Sequence, residues 1–501
     1  MSDNLQVLPP VNLPLQDEAS MRPAVEPAAN AAGFRRTKII FTVGPACESE
    51  AMMERLLDAG ADAVRLNMAH ASHEWTELMV RRIRAVTRRL GRDIPVIMDI
   101  KGPEIRTGDL RVPIELKAGD RLDLAVTPGV ETEDGITVVQ VNYPGLLRDR
   151  AVGEAVLVDN GLIRLVVAGK DGQRLRCRVE LPGLLGSRRH INLPGVRVDL
   201  PSLTEKDRRD ALLGFRLGVD YLALSFVRES GDIEELRRFV QQHGAATRII
   251  AKIEDRSAID NLDSIIRACD ILMVARGDLG IECPCEDLPV LQRQAISACR
   301  RHGRPVIIAT HLLESMITQP LPTRAEVSDV ATAVYEQADC IMLSGETALG
   351  RYPVECVQML ARVARRIETT VEPSHEATIV ASDRMKVLRS AVVLAAEMPG
   401  SKLLTFSQHG TMPLGLATLR PQRAPIFAVT SSPELGRRLG LVRGVVPVPV
   451  PRDQNPLTRV AEAIRLLREM DQLVRGDRVI VATEIDGPDG LAESIQLRIV
   501  L

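Results

Sequence analysis

The chain has 501 residues, 45% hydrophobic and 26% charged, with a formal net charge of −2. That length supports two to four domains and a large core. The near-neutral charge and 2% aromatic content give neither a basic field nor stacking platforms, which argues against nucleic acid and a charged membrane surface as partners. No apolar run reaches membrane-spanning length and no leader pattern is present, so a cytoplasmic, non-membrane protein is expected. The eight cysteines lie mostly isolated among apolar neighbours and read as reduced thiols.

Residues 1–33 are rich in proline and small residues and read as a disordered tail. From Thr37 a regular alternation begins. Apolar strands are expected at Lys38–Val43, Ala63–Met68, Pro95–Ile100, Tyr221–Phe226, Arg248–Glu254, Ile271–Ala275, Pro305–Thr310 and Cys340–Ser344. Amphipathic helices are expected at Ala51–Ala59, Glu74–Leu90, Gly231–Gln242, Asp287–Arg301, Arg324–Glu336 and Pro353–Thr369. Eight strands, nearly all followed by a helix, predict an α/β fold: a (β/α)₈ TIM barrel with its active site at the C-terminal strand ends.

The alternation stops at residue 103. Up to residue 197 short strand-like runs and Gly-Asp, Asp-Asn-Gly and Asp-Gly turns predict an inserted all-β domain, placed where it can act as a lid. The barrel is therefore assigned to residues 34–102 and 198–370. A second α/β rhythm over residues 371–501 predicts a C-terminal α/β regulatory domain.

The richest stretch is residues 249–282. Ile249–Glu254 reads as a strand, Ser257 as the cap of a helix, Ile271–Ala275 as a second strand, and Arg276-Gly277-Asp278 as the turn that closes it. Strand side chains alternate, so Lys252 and Glu254 share a face. A βαβ unit sets its strands parallel and brings Lys252, Glu254 and Asp278 to one edge. Such a pattern is commonly a solvated face. Here, however, only 8 of the 64 basic residues are Lys, so a Lys inside an apolar strand suggests a need for a compact ammonium. One ammonium beside two carboxylates suits a hard divalent cation and an anionic substrate.

The other strand ends carry Thr42-Val-Gly-Pro45, Arg65-Leu-Asn67, Asp99-Ile-Lys101-Gly-Pro-Glu104-Ile-Arg106-Thr107, Ala309-Thr310-His-Leu-Leu-Glu314, Pro322-Thr-Arg-Ala-Glu326 and Met342-Leu-Ser-Gly-Glu-Thr347. With Lys252-Ile-Glu254 and Ala275-Arg-Gly-Asp278, this order and spacing resemble the pyruvate kinase family. The resemblance is strong over residues 34–370 and weaker beyond. It implies phosphoryl transfer from phosphoenolpyruvate to ADP, giving pyruvate and ATP, as the last step of glycolysis.

Carried over residue by residue, the resemblance makes Glu254 and Asp278 ligands of Mg²⁺ or Mn²⁺. Lys252 lies against the transferring phosphoryl group, and Arg65 holds the phosphate. The backbone of Gly277 and Asp278 grips the substrate carboxylate, and Thr310 stands in a proton relay beside the enol carbon. Thr42, Arg65, His70 and the pair Arg188-Arg189 match the nucleotide contacts. The family commonly has Lys at that pair and Gly where His190 stands. Its Asp-Asp-Gly lid turn is Asp159-Asn160-Gly161 here.

The family's K⁺ ligands map to Asn67, Ala69, Asp99 and Ile100, so two side-chain hydroxyls are missing. Glu104 is retained where K⁺-independent relatives carry Lys. Weak K⁺ binding is the expectation. A homotetramer is implied. The loop Ser407–Leu414 lacks several hydroxyls expected of a sugar-bisphosphate site. Two other readings compete: a metal-dependent TIM-barrel enzyme of pyruvate or phosphoenolpyruvate of aldolase type, and a non-catalytic regulatory relative.

Overall fold

The computed structural model describes residues 33–127, 135–196, 198–371, 382–450, 456–487 and 490–501. The tail expected at residues 1–33 lies, but for Gly33, outside the described residues.

Eight parallel strands close into a barrel: Lys38–Thr42, Ala63–Asn67, Val96–Ile100, Tyr221–Leu224, Arg248–Ile253, Ile271–Ala275, Val306–Ala309 and Cys340–Met342. Each pairs with its sequence neighbour, and Lys38↔Cys340 through Ile40↔Met342 joins the last strand to the first. The expected βαβ unit is present, with Ile250↔Ile271 through Ile253↔Val274 in parallel register. Strand side chains alternate between two cores. Ile39, Phe41, Leu66, Met98, Ile100, Leu224 and Ile253 face the helices. Ile40, Ala63, Ile97, Ala223, Ile250, Met273, Ile307 and Met342 fill the barrel interior.

The helices follow local signals. Ser49, Ser72, Thr204 and Thr323 cap the helices that begin at Glu50, His73, Glu205 and Arg324. Helix Glu205–Leu217 supplies a barrel helix the periodicity had not singled out.

Two local expectations are corrected. Asp255, not Ser257, caps the helix after the fifth strand, because its carboxylate accepts from the Ser257 amide at 2.6 Å. That helix is also split at Asn261 into Arg256–Asp260 and Leu262–Ala268. Arg276-Gly277-Asp278 is no turn but the first turn of helix Arg276–Glu282, which leaves the sixth strand directly.

The inserted segment is a separate β domain. Its six-stranded sheet runs in the order Ile191–Asn192, Ala155–Val158, Ile163–Lys170, Arg174–Leu181, Arg121–Ala125 and Thr137–Gln140. It has its own core around Leu122, Leu165, Leu175 and Val179. The C-terminal domain carries a five-stranded sheet with one antiparallel edge strand, Gly490–Ile499.

The C-terminal domain seals the N-terminal end of the barrel. Leu441 completes the interior cluster of strand side chains. Lys38 Nζ donates to the Val445 carbonyl at 2.7 Å, and Tyr221 Oη to the Arg438 carbonyl at 3.1 Å. Arg420 holds Asp339 through two bonds of 2.7 Å. Buried Glu368 receives Arg443 at 3.0 Å and the Thr37 amide at 2.7 Å. The opposite, C-terminal end is left for chemistry.

Candidate functional site

Period-two alternation decides which side chains enter the site. Ile40, Ala63, Ile97 and Ile250 face the interior. Two residues further along the same strands stand Thr42, Arg65, Asp99 and Lys252, all buried. Apolar residues fill the middle of the barrel, and polar ones begin where the strands end. Ile100 has the opposite parity, so its side chain joins the helix-facing core and only its carbonyl is available.

Asp99 is the centre of a charge network. Arg65 grips its Oδ2 from Nε and Nη2, each at 2.7 Å. Lys252 Nζ lies 3.2 Å from Asp99 Oδ1 and 2.8 Å from Glu254 Oε1. The second Glu254 oxygen accepts from the Phe226 amide at 2.7 Å. Burial pulls the Lys252 ammonium down, but Asp99 and Glu254 outweigh it and hold it charged above its usual range. Burial, with Asp278 adding to it against the pull of Lys252, pushes the Glu254 carboxyl up to about 7. Asp278 is raised as well, chiefly by burial, and hydrogen-bonds with Glu254. Burial would also raise Asp99, yet Lys252 and Arg65 hold it below the ordinary carboxylate range.

Two crowded, buried carboxyls with raised affinity for protons fit a divalent cation. Among the described residues no group of three or more His, Cys, Asp or Glu forms a metal cluster. A cation placed there would meet the carboxylates of Glu254 and Asp278. That set suits Mg²⁺ or Mn²⁺, which keep waters and bind few protein oxygens.

Potassium fits less well. Asn67 Oδ1 accepts the Ala69 amide at 3.2 Å, and the Ile100 carbonyl accepts the Ser225 hydroxyl at 2.8 Å. Both Asp99 oxygens already face a cation. Glu104 is neutralised by Lys101 at 2.9 Å and Arg106 at 2.6 Å.

Thr310 follows the seventh strand. Its Oγ1 accepts the Gly277 amide at 2.7 Å and donates to the Ala309 carbonyl at 2.6 Å. Thr310 and His311 both sit in the left-handed region, at φ 66° and 54°. A β-branched residue rarely adopts that conformation, and such strain concentrates at functional positions.

The nucleotide candidates divide between barrel and lid. Thr42 Oγ1 accepts from Arg65 at 3.2 Å and donates to the Leu343 carbonyl at 2.8 Å, inside the network. His70 is exposed beyond the second strand. Arg188 pairs with Asp109 at 2.7 Å, and Arg189 with Asp159 of the Asp-Asn-Gly turn at 3.3 Å, both on the lid. Neighbouring His190 lies 5.9 Å, ring to ring, from Phe226 of the barrel, and burial lowers its basicity.

Two participants carry no motif-like signal. Ser225 accepts from Lys252 Nζ at 2.8 Å, and Phe226, at φ 54°, turns its amide onto Glu254. A Ser-Phe pair after an apolar strand does not announce either contact. Only the position at a barrel strand end pointed there.

A family model described as pyruvate kinase, barrel domain, matches residues 34–357. A second, pyruvate kinase, alpha/beta domain, matches residues 385–493. Pyruvate kinase of Geobacillus stearothermophilus is 38% identical over 480 residues, covering 93% of this chain and 80% of that protein. Pyruvate kinase of Bacillus licheniformis is 37% identical over 478 residues, covering 93% and 81%. Plastidial pyruvate kinase 3, chloroplastic, of Arabidopsis thaliana is 38% identical over 487 residues, covering 96% and 84%. With a closed eight-stranded barrel, an inserted β domain and a C-terminal α/β domain in the matching order, the chain belongs to the pyruvate kinase family and is a phosphotransferase.

Proposed function

We propose that the chain transfers the phosphoryl group of phosphoenolpyruvate to ADP, giving pyruvate and ATP, at the close of glycolysis. The observation that carries this reading is the buried Lys252 ammonium, held charged between Asp99 and Glu254 beside Asp278. Phosphoryl transfer is chiefly positioning and charge neutralisation, and the residues present supply both.

Glu254 and Asp278 would hold Mg²⁺ or Mn²⁺, which would supply charge neutralisation for the anionic substrate. Arg65, oriented by Asp99 and Thr42, presents its remaining N–H groups to the phosphate. Lys252 offsets the charge that spreads over the transferring group. The amide of Asp278, in the first turn of its helix, faces the substrate carboxylate, whereas that of Gly277 donates to Thr310 Oγ1. Thr310 passes a proton to the enol carbon; an aliphatic hydroxyl is too weak an acid to be the ultimate source, so it relays a proton from water. The nucleotide meets Thr42, Arg65, His70 and Arg189, with the lid excluding water.

Potassium is held weakly at most, since Ala69 supplies no hydroxyl and Arg65 and Lys252 already neutralise Asp99. The eight free cysteines fit a reducing, cytoplasmic compartment, and no helix among the described residues is long and apolar enough to cross a membrane. A homotetramer completes the reading.

Incubation with phosphoenolpyruvate, ADP and Mg²⁺ tests it. ATP formation is expected. Aldehyde-dependent carbon–carbon chemistry instead would favour the aldolase-type reading, and neither activity would mark a binding protein.

A further inference from the structure

We propose that Arg276 is a positioning residue: its guanidinium holds Thr310 in a strained backbone conformation that sets where the hydroxyl oxygen stands for protonation of the enol carbon. The proposal rests on the phosphoenolpyruvate reading above and assigns a step within it.

Arg276 is the first residue of helix Arg276–Glu282, and its side chain is buried. It does not point at the substrate rim. Nε and Nη2 donate to the Thr310 carbonyl at 3.3 and 2.8 Å, and Nη2 also to the His311 carbonyl at 3.2 Å. Nη1 donates to Asp329 Oδ1 at 2.7 Å and Gln292 Oε1 at 3.2 Å. All five N–H groups of the fork therefore have an acceptor.

Those two carbonyls belong to the two consecutive residues with positive φ. Each such conformation costs about 1–3 kcal/mol and persists only where the surroundings over-determine it. A planar fork that binds both carbonyls is such a surrounding. It is fixed from behind, since Asp329 lies on helix Arg324–Tyr335 and Gln292 on helix Leu288–His302. Gln292 is itself held by its 2.9 Å bond to Glu336.

The hydroxyl is fixed by the same segment. Gly277, next to Arg276, donates its amide to Thr310 Oγ1 at 2.7 Å. Arg276 and Gly277 thus grip Thr310 from the carbonyl and the side chain at once.

In the protonation step the Thr310 hydroxyl leaves the Ala309 carbonyl, and a C–H bond forms at the enol carbon from the enolate electron pair while the Thr310 O–H bond breaks. Water protonates the threonine oxygen in the same movement, and one solvent proton is consumed per turnover. The step depends on where Oγ1 stands, and Arg276 acts only through that position. A lysine keeps the charge but lacks the fork.

The test uses the full chain with Mg²⁺ and compares wild type, Arg276→Lys, Arg276→Met and Thr310→Val. Two readouts are taken: steady-state ATP formation, and exchange of pyruvate methyl protons with deuterium in D₂O in the presence of ATP. Arg276→Lys is expected to lower kcat and methyl exchange together by about 100-fold, the scale of a misplaced reacting group, with the KM for phosphoenolpyruvate little changed. In the Arg276→Lys/Thr310→Val double variant the losses should not multiply, because both changes remove one device. Asp329→Asn, which loosens the fork from outside the site, should lower exchange by about 10-fold and decides the matter if neither Arg276 variant folds.

Wild-type exchange in a folded Arg276→Lys or Asp329→Asn variant, or full multiplication of losses in the double variant, overturns the assignment. Wild-type protein that forms no ATP overturns the underlying reading, and the assignment with it.

Discussion

The Lys252 ammonium stands 2.8 Å from Glu254 Oε1, two residues further along the same chain, and 3.2 Å from Asp99 Oδ1, two strands away in the barrel. The strand contact follows from alternation alone. The contact with Asp99 passes over the intervening strand Tyr221–Leu224 and needs the sheet to curve. Together they keep a buried lysine charged, which is what the proposed phosphoryl transfer requires of it.

Lys252→Ala is expected to remain folded and to lose turnover by about 1,000-fold, the upper range for one preorganised electrostatic contact, with a much smaller effect on substrate affinity. Folding survives because Arg65 still neutralises Asp99, while Glu254, already raised by burial, can take up a proton. Steady-state kinetics with a melting curve checks this, and near-normal kcat would remove Lys252 from the chemistry.

Potassium should act weakly. Turnover is measured with K⁺ titrated against tetramethylammonium at constant ionic strength. Activation is expected that does not saturate below about 1 mM, equivalent to about 4 kcal/mol of binding. Ala69→Ser, which returns a hydroxyl, should move saturation to lower K⁺. Full activity without K⁺ would show that the cations around Asp99 and Glu104 suffice.

Glu368 makes the junction between barrel and C-terminal domain sensitive to pH. Burial raises its carboxyl, but Arg443 and the Arg36 and Thr37 contacts outweigh this and hold it below its ordinary value of 4.5. A depressed folded-state pKa adds stability that is present above the unfolded value and is lost as pH falls through the folded one. Glu368→Gln should therefore cost about 3 kcal/mol at pH 7, by leaving the buried Arg443 uncompensated. The penalty should shrink below pH 4.5. Melting temperatures of the two proteins across that range decide it; a pH-independent difference would mean that the charge is not what matters.

Fructose 1,6-bisphosphate should bind poorly and activate little. Ser407 Oγ is occupied by the Gly410 amide at 2.7 Å, Met412 is buried, and Leu414 offers no charge. Isothermal titration checks this; micromolar binding with activation would show that the loop recruits donors from elsewhere.

Much of the site was legible because β-structure has a period of two. Ile40, Ala63, Ile97 and Ile250 set the interior parity, and Thr42, Arg65, Asp99 and Lys252 inherit it. Ser225 and the Phe226 amide were not legible, because neither carries a charge and a backbone amide has no residue-type signature; their partners stand 27 and 28 residues on, at the end of the next strand. Arg276 stood inside a recognisable motif, yet its fork turns away from the rim to carbonyls 34 and 35 residues later. The helix at Arg276 was read as a turn, because Gly277 and Gly280 depress local helix propensity and only packing restores it.

The sequence by itself determined the eight strand-and-helix repeats, the interruption by a β domain, and the residue types at the strand ends. Hydrophobic period and turn chemistry are local properties, and the chain carries them at every position. Tertiary structure alone decided that the barrel closes between Lys38–Ile40 and Cys340–Met342, and that Leu441 fills its lower end. It alone set Asp99 between Arg65 and Lys252, and bound the strained Thr310 to Arg276. Those relations join residues 34 to 302 positions apart. Their energies depend on burial and distance, which no local pattern encodes.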